Sequence, residues 1–119
     1  MKERAVSDCL FCKIVQRQIP ASVVYEDDRV LAFNDINPQA PTHVLVIPKQ
    51  HIPTLSDLEP GHDAIVGELV RRAAAIATER GIAAGGFRTV FNTNRDAGQT
   101  VFHIHLHLIG GRGMSWPPG

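Results

Sequence analysis

Neither sign of charge is in excess in this chain. Twelve lysines and arginines are matched by twelve aspartates and glutamates over 119 residues, a formal net charge of zero. That argues against a partner recruited by bulk electrostatics, such as nucleic acid or a membrane surface, and leaves only room for a local basic site. No run of about 18 apolar residues occurs, so nothing is expected to span a bilayer. The opening Met1-Lys2-Glu3-Arg4 leads into no long apolar stretch of the kind a secretory signal needs, and a cytoplasmic address is expected. Cysteine is scarce too. Cys9 and Cys12 are too few for a disulfide framework, but their Cys-x-x-Cys spacing belongs to metal or redox chemistry.

What is present reads as one domain over residues 1–119, with 44% apolar and 20% charged residues, an ordinary globular balance. Ser7 or Asp8 is placed to cap a short helix running to about Gln18, closed by Pro20. Val23–Glu26 and Val30–Phe33 read as strands joined through Asp27-Asp28. His43–Ile47 is a continuous apolar run suited to a central strand, ended by Pro48. From about Pro60 to Arg80, Ile65, Leu69, Ala73 and Ile76 form one stripe of an amphipathic helix, with Gly81 at its C-terminal stop. His62 reads as a surface residue. Phe87–Asn92 and His103–Ile109 supply two more strands, and residues 110–119 form a Gly/Pro-rich tail. The expected class is α+β: a five-stranded antiparallel sheet with one long and one short helix.

Half of the six histidines fall in His103-Ile104-His105-Leu106-His107. On a strand, alternate side chains share a face, so three imidazoles would line up over roughly 13 Å. An imidazole is a neutral nucleophile near pH 7, and its neighbour can donate a hydrogen bond to a phosphoryl oxygen while the central ring attacks. Packing alone would not call for three such side chains in an apolar strand. Just upstream, Asn92, Gly98, Gln99 and Thr100 offer amide, hydroxyl and close-approach backbone groups suited to a phosphate cradle. For Cys9 and Cys12 three readings stand: a redox pair, two spare thiols, or half of a tetrahedral zinc site.

The segments His103–Ile109, Asp35–Lys49, Ala97–Thr100 and Trp116-Pro117-Pro118-Gly119, in that combination, resemble the Hint branch of the histidine triad (HIT) superfamily over nearly the whole chain. The resemblance implies a dimeric HIT-like fold. It also implies a nucleotide-binding hydrolase that cleaves the P–N bond of purine nucleoside 5′-phosphoramidates, of the AMP-lysine or AMP-NH2 type, through a nucleotidyl-histidine intermediate. By position, His105 would be the nucleophile, His107 would contact the α-phosphate, and His43 would orient the nucleophilic ring. Asp35 would take the ribose hydroxyls, with Ile36 beside it, and Phe11, Ile14, Phe33 and Leu45 would wall the base. Asn92, Gly98, Gln99 and Thr100 would surround the phosphate. Relatives with the same cysteine motif imply structural zinc on Cys9, Cys12, His51 and His103, with no metal needed for the chemistry. Trp116 would reach across the homodimer to the leaving-group site. Thr100 departs from the commoner Ser, keeping the hydroxyl. Alternative readings are a nucleotide-binding regulatory module with incidental hydrolysis, a dinucleoside polyphosphate hydrolase, and a structural zinc protein.

Overall fold

Five strands make one antiparallel sheet: β1 (Val23–Glu26), β2 (Val30–Asn34), β3 (Thr42–Pro48), β4 (Phe87–Val90) and β5 (Leu106–Gly110), in the order β1-β2-β3-β5-β4. The structure, a computed structural model, describes Val6 and residues 8–119. A short helix α1 (Leu10–Val15) covers one face and a long helix α2 (Asp63–Glu79) the other. The central strand β3 is buried along its whole length. That is why its sequence is a continuous apolar run rather than an alternating one. The Val44 and Val46 side chains pack with Ile65, Leu69, Ala73 and Ile76 of α2, whereas Leu45 and Ile47 pack with Phe11 and Cys12 of α1. The α2 stripe expected from the sequence is the buried one.

Register carries the site. Phe33, Leu45 and His107 are direct cross-strand partners on β2, β3 and β5. They form a row on the α1 face, and His43, two residues before Leu45, shares that face because strand side chains alternate.

Several expected boundaries move. The N-cap of α1 is Cys9, whose Sγ accepts from the Cys12 N–H at 3.3 Å; Asp8 precedes it, and Ser7 lies outside the described residues. The helix stops at Val15, not Gln18, because Arg17 takes a left-handed conformation with φ 62°. The first turn of the long helix, Pro60–His62, is 3₁₀, and His62 Nδ1 closes it by accepting from the Glu59 N–H. The strand expected over Phe87–Asn92 ends at Val90. The largest correction concerns the histidine row: of His103, His105 and His107, only His107 is on a strand. His103 and His105 precede β5 in irregular backbone. There the Ile104 N–H goes to the Ile52 carbonyl and the His105 ring to the His103 carbonyl, outside the sheet ladder.

Leu69 is fully buried between α2 and the sheet. Leu69→Ala is expected to lower stability by about 2–5 kcal/mol in urea unfolding, while the opposite, α1-side face keeps its geometry.

Candidate active site and metal centre

His105 Nδ1 lies 2.8 Å from the main-chain oxygen of His103. A carbonyl can only accept, so Nδ1 carries the ring proton and Nε2 keeps its lone pair. Phe11 meets this ring edge-on with centroids 5.1 Å apart, fixing its plane. The His107 ring is the next neighbour, 4.9 Å away between centroids.

The proton on His107 is located through His43. The Gln39 N–H donates to His43 Nδ1 at 3.0 Å, which puts the His43 proton on Nε2. That nitrogen is 2.9 Å from His107 Nδ1 and donates to it. His107 Nε2 therefore bears hydrogen. It is buried and has no hydrogen-bond partner among the described residues. An orphan buried donor is costly, and here it borders a cavity. The expectation that His43 steadies the nucleophilic ring directly is corrected: His43 holds His107, and the His103 carbonyl holds His105. The Asp35 carboxylate stands 3.4 Å from His43 Nε2 and takes the Asn37 N–H on its other oxygen. Burial lowers the pKa of His105, and it lowers that of His107 to about 4, helped by the neighbouring imidazoles His105 and His43. Both rings are thus neutral near pH 7.

The cavity has a volume of about 380 Å³. It is bordered by Phe11, Ile14, Phe33, Leu45, Asp35, Ile36, Thr100, His105 and His107 from the sequence-based set. Its walls are mainly apolar, with the two imidazoles and one carboxylate at its polar end, an arrangement suited to a ligand with an aromatic body and a polar tail. Three expected residues are not on its wall. Gln99 is buried in its own loop, with its amide donating to the Pro53 and Val101 carbonyls and its oxygen accepting from the Asn94 N–H. The Gly98 N–H is spent on the Arg95 carbonyl. Asn92 lies just past β4. Sequence reading missed Leu10, Ile19, Pro20, Ala21, Asn34 and Val101 on the wall. It also missed Gln39, which acts through its backbone and leaves no side-chain signature. Trp116 is 82% exposed on the tail.

A second cluster lies against the first. One atom each of Cys9, Cys12, His51 and His103 falls within 4.8 Å of the others. Cys12 Sγ is 3.2 Å from His51 Nδ1 and 3.6 Å from His103 Nδ1, and Cys9 Sγ is 3.5 Å from His103 Nδ1. The sulfur–nitrogen edge of a tetrahedral zinc site is about 3.5 Å, given Zn–S near 2.3 Å and Zn–N near 2.0 Å. His103 Nε2 donates to the Pro48 carbonyl at 2.7 Å, which leaves the Nδ1 lone pair aimed at the two sulfurs. Burial holds His51 below its usual range and His103 near about 4, so both stay neutral as a ligand must. Burial pushes the Cys12 thiol up to about 11, so binding a cation there would displace its proton. The donor set fits zinc, with four protein ligands and no position left for water. Asp35, His43 and His107 also converge, but the 2.9 Å contact between the two imidazoles is a hydrogen bond with a proton already in it.

The HIT domain family model matches residues 16–114. The chain is 54% identical over 112 residues to an uncharacterized HIT-like protein of Synechocystis, covering 94% of this chain and 97% of that one. It is 51% identical over 105 residues to the purine nucleoside phosphoramidase of Escherichia coli K12, covering 88% of each. Among solved structures, a HIT family hydrolase from Legionella pneumophila superposes with a TM-score of 0.93 at 54% identity, covering 94% of this chain and 100% of that one. A histidine triad protein from Clostridium difficile gives 0.91 at 45% identity, with 94% and 97% covered. The fold brings the paired imidazoles of His105 and His107 to one cavity on a five-stranded sheet. The chain belongs to the HIT family, as an enzyme of that family.

Two outcomes follow from this geometry. Adding a proton to His107 Nδ1 breaks the bond from His43, and burial delays that protonation to about pH 4. Protonation of His107 is therefore expected to cost activity only as the pH falls towards about 4. A break centred near 6.5, the value of a free imidazole, would contradict the burial. The purified protein is also expected to hold one zinc per chain by elemental analysis. Cys12→Ser is expected to lose it together with several degrees of thermal midpoint.

Proposed function

We propose that this HIT-family enzyme hydrolyses the P–N bond of purine nucleoside 5′-phosphoramidates. The observation that carries the reading is the pairing of opposite proton states on adjacent rings. His105 presents a bare Nε2, and His107 an unpartnered Nε2–H at the same cavity. In this reading the base lies among Phe11, Ile14, Phe33, Ile36 and Leu45, and Asp35 accepts from the ribose hydroxyls. Thr100 supplies its hydroxyl to the phosphate, a role that Gly98 and Gln99 do not share because their N–H groups are engaged within the loop.

The chemistry balances with these groups and solvent water. His105 Nε2 attacks phosphorus and forms an N–P bond while the bond to the leaving amine breaks. The departing amine takes its proton from solvent water, while His107 Nε2–H, on a ring that is already neutral, donates a hydrogen bond to a phosphoryl oxygen. Water then attacks the nucleotidyl-histidine. Its hydroxyl stays on phosphorus, its other proton returns to solvent, and the nucleoside monophosphate leaves with His105 restored. Zinc on Cys9, Cys12, His51 and His103 takes no part in these steps and holds α1 to the segment carrying the nucleophile.

The same reading makes the enzyme a homodimer. The outer edge of β4 has no strand beside it, and Phe87 and Trp116 are exposed apolar groups at and near that edge of the sequence. Trp116 would then contribute to leaving-group choice from the partner subunit. No described helix is long and apolar enough to cross a membrane, and a cytoplasmic site of action is part of the proposal.

The decisive assay is turnover of adenosine 5′-phosphoramidate. The parent is expected to release AMP, and His105→Ala to lose on the order of a thousandfold in kcat while still binding AMP. Equal turnover by the two proteins would overturn the assignment. Nucleotide binding without turnover by the parent would favour the regulatory reading.

A further inference from the structure

The tail is tied to the catalytic histidines by a line of hydrogen bonds that starts at Arg112. Two contacts seat the tail on the loop between β2 and β3. Gly111 has φ 91°, and a Cβ there would stand 3.0 Å from Pro41 Cβ, so the chain passes against that proline as only glycine can. One residue on, the Arg112 Nε–H donates to the Gln39 carbonyl at 2.9 Å, and Nη1 donates to the Gly113 carbonyl at 3.0 Å. Gln39 in turn gives its own N–H to His43 Nδ1, and His43 gives Nε2–H to His107 Nδ1. Every donor in the series points inward, from the surface guanidinium to the cavity.

We propose that Arg112 is a positioning residue for the reaction, holding Gln39 so that the proton of His43, and through it that of His107, stays on Nε2. The proposal rests on the phosphoramidase reading and deepens it. A neutral imidazole has two tautomers of similar energy, and the partner of one nitrogen decides which is present. Were the Gln39 N–H to move away, His43 would be free to carry its proton on Nδ1. Its Nε2 would then become an acceptor, and His107 would have to turn its own proton towards it. His107 would be left with a lone pair facing the phosphate, which repels an anionic oxygen instead of donating a hydrogen bond to it. A single reversal at the surface end thus inverts the polarity of the buried end. The forked guanidinium suits this task because one planar group bridges the Gln39 and Gly113 carbonyls. Arg112 itself is exposed and is not on the cavity wall, so it reaches the substrate only through this series.

The test uses full-length protein labelled with 15N at histidine, free of ligand, together with steady-state kinetics on adenosine 5′-phosphoramidate. In the parent, long-range 1H–15N correlation spectra are expected to show His43 and His107 each protonated on Nε2. Arg112→Ala is expected to mix the tautomers of both rings and to lower kcat about fivefold to tenfold, with KM changed less than about twofold. Arg112→Met, which keeps an unbranched stem out to the Nε position but has no donor for the Gln39 carbonyl, is the second variant should the alanine protein prove unstable, and it is read in the same way. Unchanged tautomers in the variant overturn the proposal whether or not the rate falls. So does a fall expressed in KM with kcat preserved. If the parent lacks turnover, the functional reading fails, and the spectra alone still decide whether Arg112 sets the proton positions.

Discussion

The structure depends on a hydrogen bond that a regular strand could not make: His105 Nδ1 to the carbonyl of His103, two residues back on the same chain. Within a ladder that carbonyl would point sideways to a neighbouring strand. The backbone leaves the sheet over residues 103–105, and β5 begins only at Leu106. The excursion is stabilised from outside by the bond from Ile104 to Ile52 and by the bond from the His103 ring to Pro48. What results is a buried imidazole with one nitrogen committed and the other bare. The neighbouring ring has the opposite arrangement, because it is held from β3 by His43. Two identical side chains two residues apart thereby acquire complementary chemistry.

The two faces of the sheet divide the work. On one, α2 seals an apolar layer. On the other, a six-residue helix covers only part of the sheet, and the uncovered part is the cavity. Cys9 caps that helix and is also one of four metal-type donors, so the same sulfur serves helix start and cluster. His103 links the two centres, its ring facing the cysteines and its carbonyl holding the His105 ring. Metal at the cluster would brace the backbone of His105 without touching its ring.

Much of this was legible in the residues. The apolar run of β3 and the stripe of α2 follow from burial on two faces and on one face respectively, and both patterns are written plainly in the sequence. The family followed from the histidine row and its companion motifs, as did most but not all of the groups bordering the cavity. The alternation of the three histidines also misled, since it reads as one strand face, while side-chain-to-backbone bonds took two of them out of the ladder. The Gly98-Gln99 stretch misled in the same way. A polar loop beside the site reads as a phosphate cradle, but its amides close the loop on itself. Gln39 and Arg112 were invisible because one acts through its peptide N–H and the other through a carbonyl 73 residues away in sequence. Neither contact has a residue-type signature.

The central claim is that His105 Nε2 is the atom that bonds to phosphorus. Rapid quenching of the enzyme during turnover of adenosine 5′-phosphoramidate, followed by peptide mapping under conditions that preserve phosphoramidate bonds, tests it directly. The account predicts AMP attached to the peptide bearing residues 103–107, on His105. An adduct on His107, His43 or any cysteine, or turnover with no protein-bound nucleotide at any quench time, would contradict it.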